Sequence, residues 1–463
     1  LAGAEIRGEK AEGIFEKRYG YDPVTGNSAM PVPKDPGNGE GFKYSDLVSY
    51  ANAMDQLSGQ EIEENRFASF YGALDYSLFD RYVLNVSFRT DGSNNFGSDE
   101  QFNPTWSAGA VWHVSEETFM EVVRPVLSRL SLRVATGYTG NINKTVKPNL
   151  MMKYYKNFRI SDDENYRMGY INNAPNPKLR WEKTRDVKVA LDFGLWKDRI
   201  NGIVEAYWRK SKDCVTSEYV PVTTGFFNQS YNTSVLQNNG VEFSLSVAVL
   251  KSKDYNLSVS ANVAWNQNKL KKYNSPNTSL ALDKYVGYPM GAVFSGKYEG
   301  IDPETGMYKF KLRPDAVTNK DGYLREPNNY YYYLGTSVAP FTGGFNLNFS
   351  YKNIGLSVGG SYSVKAKMVD NIESPAGYEL LSGSKLESIP TPHNDLYRNH
   401  LNVKREVRNR WTPENRTGVK YHRLIDAYGK KLGLDLTNPT LTTITRGALL
   451  EDISYLRINT IAL

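Results

Sequence analysis

Residues 81–90 read Arg81-Tyr82-Val83-Leu84-Asn85-Val86-Ser87-Phe88-Arg89-Thr90. Tyr82, Leu84, Val86 and Phe88 fall on every second position, with Val83, Asn85, Ser87 and Arg89 between them. A strand turns successive side chains to opposite faces, so this segment has one apolar side and one largely polar side. The segment before it obeys the same rule. Phe70, Gly72, Leu74, Tyr76 and Leu78 alternate with Ser69, Tyr71, Ala73, Asp75 and Ser77. Only Phe79-Asp80-Arg81 separates the two, so 67–78 and 82–90 read as a hairpin.

The pattern recurs outward from this point. Residues 105–113 carry Trp106, Ala108, Ala110 and Trp112 on one face, and 130–137 carry Leu130, Leu132 and Val134. Between them, Ser115-Glu116-Glu117 and 118–123 predict a capped helical turn. Val187, Val189, Leu191 and Phe193 lead through Trp196-Lys197-Asp198-Arg199 to Ile200, Val204, Ala206 and Trp208. Val241 to Val249 lead through Lys251-Ser252-Lys253-Asp254 to Leu257 to Trp265. Phe345 to Tyr351 lead through Lys352-Asn353 to Ile354 to Tyr362. Asn262, Asn266, Asn346, Asn348, Ser350, Ser357 and Ser361 occupy the alternate positions. Residues 290–299 and 307–312 are further candidate strands, for about twelve or thirteen in all. The remaining connections, 11–66, 138–184, 209–236, 266–288 and 365–450, are long and polar. Uniform strands with short turns at one end and long loops at the other predict an all-β chain, an antiparallel transmembrane barrel.

Composition is compatible with that prediction. The chain has 463 residues and a mean hydropathy of −0.52. That value would suit a soluble protein, but a membrane barrel shows lipid only every second strand residue and adds polar loops. No run of apolar residues is long enough for a transmembrane helix. Tyrosine is abundant, with 33 Tyr against 19 Phe and 7 Trp; its ring and polar tip suit strands and membrane–water interfaces. A net charge of +6 is too weak over this length to imply a nucleic-acid partner. Cys214 is the one cysteine, and the four histidines (His113, His393, His400, His422) show no ligand spacing, so no zinc site is expected. No nucleophile elbow, phosphate loop or metalloprotease motif is present, and neither a catalytic residue nor a cofactor is predicted.

Three stretches invite a functional reading. Asp91-Gly92-Ser93-Asn94-Asn95-Phe96-Gly97-Ser98-Asp99 spaces oxygen ligands as a calcium loop does. Its glycine comes one place late, however, and Phe102 stands where a closing Glu belongs, so a structural loop is expected. Asn328-Asn329-Tyr330-Tyr331-Tyr332-Tyr333 could stack on sugar rings, though loop packing is the commoner use of such tyrosines. Lys404-Arg405-Glu406-Val407-Arg408-Asn409-Arg410 is a basic run ahead of Trp411.

In order and spacing, a set of segments resembles the barrel of SusC-like TonB-dependent outer-membrane transporters. They include Asp80-Arg81-Tyr82-Val83-Leu84 running into Phe88-Arg89-Thr90-Asp91-Gly92-Ser93-Asn94-Asn95-Phe96-Gly97, Trp106-Ser107-Ala108-Gly109 followed by Ser115-Glu116-Glu117, and Gly137-Tyr138-Thr139-Gly140-Asn141. Asn176-Pro177-Lys178-Leu179-Arg180-Trp181-Glu182, Asn239-Gly240-Val241-Glu242-Phe243, Phe341-Thr342-Gly343-Gly344-Phe345, Asn409-Arg410-Trp411-Thr412-Pro413 and Asp452-Ile453-Ser454-Tyr455-Leu456-Arg457 continue the match. The resemblance covers most of 66–463. It implies a barrel of about 22 strands with a plugged lumen, of which residues 1–463 would be a part, without the N-terminal plug and the C-terminal strands.

The resemblance further implies active import of a large nutrient, an oligosaccharide or a peptide, across a bacterial outer membrane. The implied partners are the lipid bilayer, the TonB complex (through a segment not in this chain) and a SusD-like surface lipoprotein acting as a lid. Loop 365–450 is the expected lid contact, with Tyr397, Arg405, Arg408, Arg410 and Trp411 as its anchors, because aromatic and arginine side chains dominate interfaces. Two alternatives stay open at this point: a passive porin-like channel and a soluble all-β glycan-binding protein.

Overall fold

The computed structural model describes residues 1–16, 24, 25, 27, 58–143, 146–161, 164–226, 228–273, 286–304, 306, 308–316, 329–369, 408–421 and 446–463. Strands β1 (Ala2–Glu16), β2 (Ser58–Leu78), β3 (Tyr82–Ser93), β4 (Phe102–His113) and β5 (Leu127–Asn141) come first. A side hairpin of β6 (Met151–Ser161) and β7 (Glu164–Asn173) follows. Then come β8 (Glu182–Leu195), β9 (Ile200–Tyr219), β10 (Asn228–Lys251) and β11 (Tyr255–Lys272). Short strands β12 (Ala292–Gly296), β13 (Tyr298–Ile301), β14 (Tyr308–Phe310) and β15 (Tyr331–Thr336) precede β16 (Phe341–Tyr351) and β17 (Ile354–Val364). The chain closes with β18 (Lys367–Val369), β19 (Leu450–Asp452) and β20 (Tyr455–Ala462).

Twelve of these form one antiparallel sheet in the order β1-β2-β3-β4-β5-β8-β9-β10-β11-β16-β17-β20. The register carries the alternation from strand to strand, with bulges in the β10 pairings, at Leu127/Arg129 between β5 and β8, and at Gly359/Gly360 between β17 and β20. Directly opposed residues run Leu78, Tyr82, Trp112, Leu132, Leu191, Val204, Phe243, Val263, Gly343, Tyr362 and Leu456 across eleven strands. One residue away, Ser77, Val83, Val111, Arg133, Ala190, Glu205, Glu242, Ala264, Thr342, Ser363 and Tyr455 form the matching row on the other face. A one-residue slip would exchange the two sets, so burying one face in lipid fixes the pairing.

The apolar face holds Leu84, Val86, Leu191, Val247, Val259, Leu347 and Val358. Asn85, Asn262 and Asn348 lie on the opposite side. No second sheet covers the apolar face among the described residues; Leu84, Val86, Leu191 and Val259 are exposed. A soluble sandwich would bury them, and an outer-membrane wall meets lipid with them. Tyr255 and Trp265 share this face at opposite ends of the span, ten residues apart, as do Tyr351 and Phe341 opposite them. At roughly 3.4 Å per residue and a tilt near 45°, that separation matches the apolar thickness of a bilayer.

The tight turns between consecutive wall strands, β2–β3, β8–β9, β10–β11 and β16–β17, lie at one end. Phe79 and Asp80 both adopt left-handed backbone, φ 53° and 55°, and Arg81 N donates to Leu78 O at 3.1 Å. This geometry matches the twist of the flanking strands. Trp196, Lys197 and Asp198 do the same at 51°, 57° and 58°.

Where the structure departs from the sequence reading, the reasons are physical. Residues 209–236 are not a loop: β9 and β10 run on as a paired ladder to Tyr219 and Asn228. A bilayer needs about 9–11 strand residues, and β10 has 24, so this hairpin continues into water, where apolar alternation has no purpose. Likewise β1 reaches Glu16 and β2 begins at Ser58, and 138–184 contains the β6–β7 hairpin. The capped helical turn after β4 is two 3-10 turns, Val114–Glu116 and Thr118–Met120, with no side-chain cap. The candidate strands at 290–299 and 307–312 do not enter the wall. They become β12, β13 and β14, in two small loop sheets with β15.

Candidate functional site

The inner face is a wall of small and hydrogen-bonding side chains braced by ion pairs. Arg133 holds Asp192 with two bonds, Nε at 2.6 Å and Nη2 at 3.1 Å. Lys188 meets Glu205 at 3.3 Å, and Arg209 donates twice to Asp186 Oδ2, at 3.1 and 2.8 Å. Arg89 joins Asp91 at 2.6 Å, Ser69 at 2.9 Å and Glu5 at 3.3 Å. Each pair bridges neighbouring positions of the sheet, so the charges are largely neutralised along the wall. Nearby Asn201, Ser244, Ser246, Ser260, Asn262 and Asn346 line a shallow cavity of about 440 Å³.

Above the wall stands a crown of loops in two packed clusters. In the first, residues 93–103 dock onto 174–182. Phe96 stacks on Trp181 at 4.6 Å between ring centroids. Gly97 N donates to Leu179 O at 2.9 Å, and Asp99 N to Pro177 O at 3.2 Å. Lys147 Nζ reaches Glu63 and Asn95, both at 3.1 Å. Arg180 pairs with Asp213 at 2.7 Å, which raises the guanidinium pKa further above its ordinary value, chiefly through that hydrogen bond. The oxygens of the calcium-like stretch are committed to protein donors. Asp91 Oδ1 accepts from Ser69 and Arg89, Asn94 Oδ1 from the Arg66 N–H and Asn95 Oδ1 from Lys147. Among the described residues no cluster of acidic, His and Cys side chains could hold a metal.

The second cluster gathers loops from β11 to β20. Tyr421 is fully buried against Leu449. Lys420 pairs with Glu451 at 2.9 Å, which raises the ammonium pKa, and Lys367 with Asp452 at 3.4 Å. Tyr288, Phe294 and Tyr333 contact one another at 4.9 to 5.7 Å, and Tyr298 packs on Tyr308 and Phe310. Of the tyrosine run, Tyr331 is buried and the Tyr332 hydroxyl donates to Leu312 O at 3.1 Å, so these two are packing residues. Tyr333, Tyr288, Asn238, Asn266, Gln267 and Asn268 line a cleft of about 540 Å³. Amides and aromatic rings can hydrogen-bond and stack a ligand, and Lys269 and Thr336 also line the cleft.

The five residues expected at a lid contact fare differently. Tyr397 and Arg405 lie outside the described residues. Arg408 is exposed and Arg410 half-buried. Trp411 is only 5% exposed and donates its indole N–H to Pro303 O at 3.1 Å. Its ring is therefore an internal anchor of the crown and has no surface to offer a partner. The basic run gave no sign of this, because the residues that enclose Trp411 are distant in sequence.

Comparison with known proteins gives the same architecture. A family model described as "TonB dependent receptor-like, beta-barrel" matches residues 15–372. TonB-dependent receptor SusC of Bacteroides thetaiotaomicron is 34% identical over 229 residues, 48% of this chain and 22% of that protein. TonB-dependent receptor P26 of Formosa agariphila is 26% identical over 425 residues, 86% of this chain and 39% of that protein. The RagAB peptide importer in its closed-closed state superposes with a TM-score of 0.66 at 24% identity, covering 88% of this chain and 42% of the other. The chain thus spans well under half the length of the proteins it resembles. Its two-faced sheet, its short turns at one rim and its packed loops at the other are those of an outer-membrane wall, and the chain belongs to the TonB-dependent receptor β-barrel family.

Proposed function

We propose that this chain is part of the barrel wall of an energised importer for a large nutrient, an oligosaccharide or a peptide. In this reading the polar inner face borders the lumen, the crown faces the medium, and a plug and TonB-contacting segment lie outside these residues. The observation that carries it is the pairing of an uninterrupted apolar face with a polar, ion-paired face on one sheet. A surface lipoprotein would close over the crown, with Arg408 and Arg410 as the described candidates for its contact and Trp411 as the buried post behind them. The relatives' names, receptor and peptide importer, favour import over adhesion or catalysis.

Labelled oligosaccharides and peptides offered to cells making the full-length protein test this. Uptake is expected for one class and should stop when the proton gradient is collapsed. Uptake that survives an uncoupler would mean a passive channel. For the lid, charge reversal at Arg408 and Arg410 together should reduce co-purification of the lipoprotein from correctly inserted barrels. Undiminished recovery would remove both from the contact.

A further inference from the structure

We propose that the connection between β4 and β5, residues 114–126, is a membrane foot that seats apolar side chains among the lipids at the short-turn rim. This rests on the barrel reading, with the apolar face outward. The other connections at this rim are tight turns, whereas this one spans two 3-10 turns and is clasped to the wall by the Glu117 carboxylate, while Glu116 pairs with Arg124 at 3.3 Å. Glu117 Oε1 accepts from the Tyr82 hydroxyl at 2.5 Å and from the Trp112 indole N–H at 3.1 Å, and Oε2 from Arg81 at 3.3 Å. Tyr82 and Trp112 are opposed residues in the apolar row, so the clasp lies on the lipid side of the wall. A carboxylate at the edge of lipid needs such donors to remain charged there.

The clasp presents apolar side chains, with the exposed charges of Glu116, Glu121 and Arg124 between and beside them. Phe119 is 65% exposed and Val122 88%, with Val126 also exposed. Trp196 N donates to Val126 O at 2.7 Å, so the foot continues the ladder beside another exposed rim aromatic. Met120 is the side chain turned inward and buried, and Arg124 Nε ties the far end back to Ser115 O at 2.9 Å. The exposed residues are thus held out by a built scaffold. The occupant is lipid, because the foot is continuous with the lipid-facing row and hangs from it. Apolar groups at this depth sit at the boundary of headgroups and acyl chains, where aromatic rings are favoured.

The test uses full-length protein in phosphatidylethanolamine–phosphatidylglycerol vesicles, with Cys214→Ser and single nitroxide labels at Phe119→Cys or Val122→Cys. Labels at Asp254→Cys, in a tight turn of the same rim, and Leu84→Cys, in the wall, are the references. Collision with oxygen relative to a water-soluble nickel chelate should be several-fold higher at Phe119 and Val122 than at Asp254, approaching Leu84. Adding Glu117→Gln should lower that ratio and loosen the Phe119 label while Leu84 stays unchanged. Ratios equal to Asp254 would overturn the foot and leave the barrel standing. Shielding from both reagents would mean that protein, such as another part of the full-length chain or a second copy, covers it. A water-like Leu84 would overturn the barrel reading itself.

Discussion

Leu347 and Asn348 are neighbours on the same strand, yet they belong to two different solvents. Leu347 sits opposite Val259 and Val358, and Asn348 opposite Ser258 and Ser357, whose hydroxyl it accepts at 2.8 Å. One face is selected for contact with hydrocarbon, the other for contact with water and with its own polar neighbours. The backbone is common to both, so any difference in tolerance between them is a property of the side-chain environment alone. A soluble sheet compared in the same way would contrast a protein core with water. Here neither face is covered by protein among the described residues, and the contrast is lipid against lumen.

The strongest way to break that comparison is to put the same charge on both neighbours. Leu347→Arg, near the middle of β16, should cost about 2–4 kcal/mol of folding stability in vesicles, and Asn348→Arg far less. Urea titration of folding into lipid vesicles measures both. Equal costs would mean that the faces do not differ in solvent and would remove the outward assignment.

The crown sharpens the contrast, because there the two-faced rule ends and close packing replaces it. A Cβ on Gly97 would stand 1.9 Å from Pro177 O, a backbone atom that cannot rotate away. Gly97→Ala should therefore cost about 1–3 kcal/mol, the range for overpacking, and should undock 93–103 from 174–182. Gly8, on β1, would meet nothing within 4 Å, and Gly8→Ala should be nearly neutral. Limited proteolysis of inserted protein separates the two, with new cleavage near the crown only for Gly97→Ala.

What could be seen in the sequence follows the same division. The wall was legible because lipid imposes a period of two on every strand that crosses it, and the tight turns between strands stood out as short polar breaks. The crown was not, because its order comes from pairings such as Phe96 on Trp181 and Trp411 on Pro303, which join residues that no local pattern links. The same gap explains why Trp411 looked like a partner anchor: an aromatic beside a basic run is equally the signature of an exposed contact and of a loop's own core. The continuation of β9 and β10 into water was missed for the opposite reason. A ladder of Ser, Thr and Asn residues can remain paired without any apolar period to announce it.

A smaller effect is expected within the inner face. Asp192→Asn removes the negative charge and one of the two acceptor oxygens of the forked Arg133 bond, but the guanidinium remains half exposed to water. Pairs of this kind contribute about 0–1 kcal/mol. The same denaturant titration should show a shift well below that of Leu347→Arg. A loss as large as that of the outward substitution would mean that the inner face is as dry as the outer one.

The smallest expected effect is at the rim, where the two faces meet, and it concerns pH. The Tyr82 hydroxyl bond, then the Trp112 indole and Arg81, holds the Glu117 carboxyl below the ordinary carboxylate range. A carboxyl whose folded pKa is depressed binds protons more readily in the unfolded state. Its contribution is therefore fully present above the unfolded carboxylate pKa and is lost as pH falls through the depressed folded value. The clasp should thus hold at neutral pH and through mild acid, and open only below the usual carboxylate titration. A nitroxide at Phe119 should gain mobility over that acid range in the native protein. Glu117→Gln should already be mobile at neutral pH and show no further change at this step. A transition centred at or above the ordinary carboxylate pKa would mean that the three donors do not stabilise the charged form, and the rim would then owe its shape to Met120 and the 3-10 turns instead.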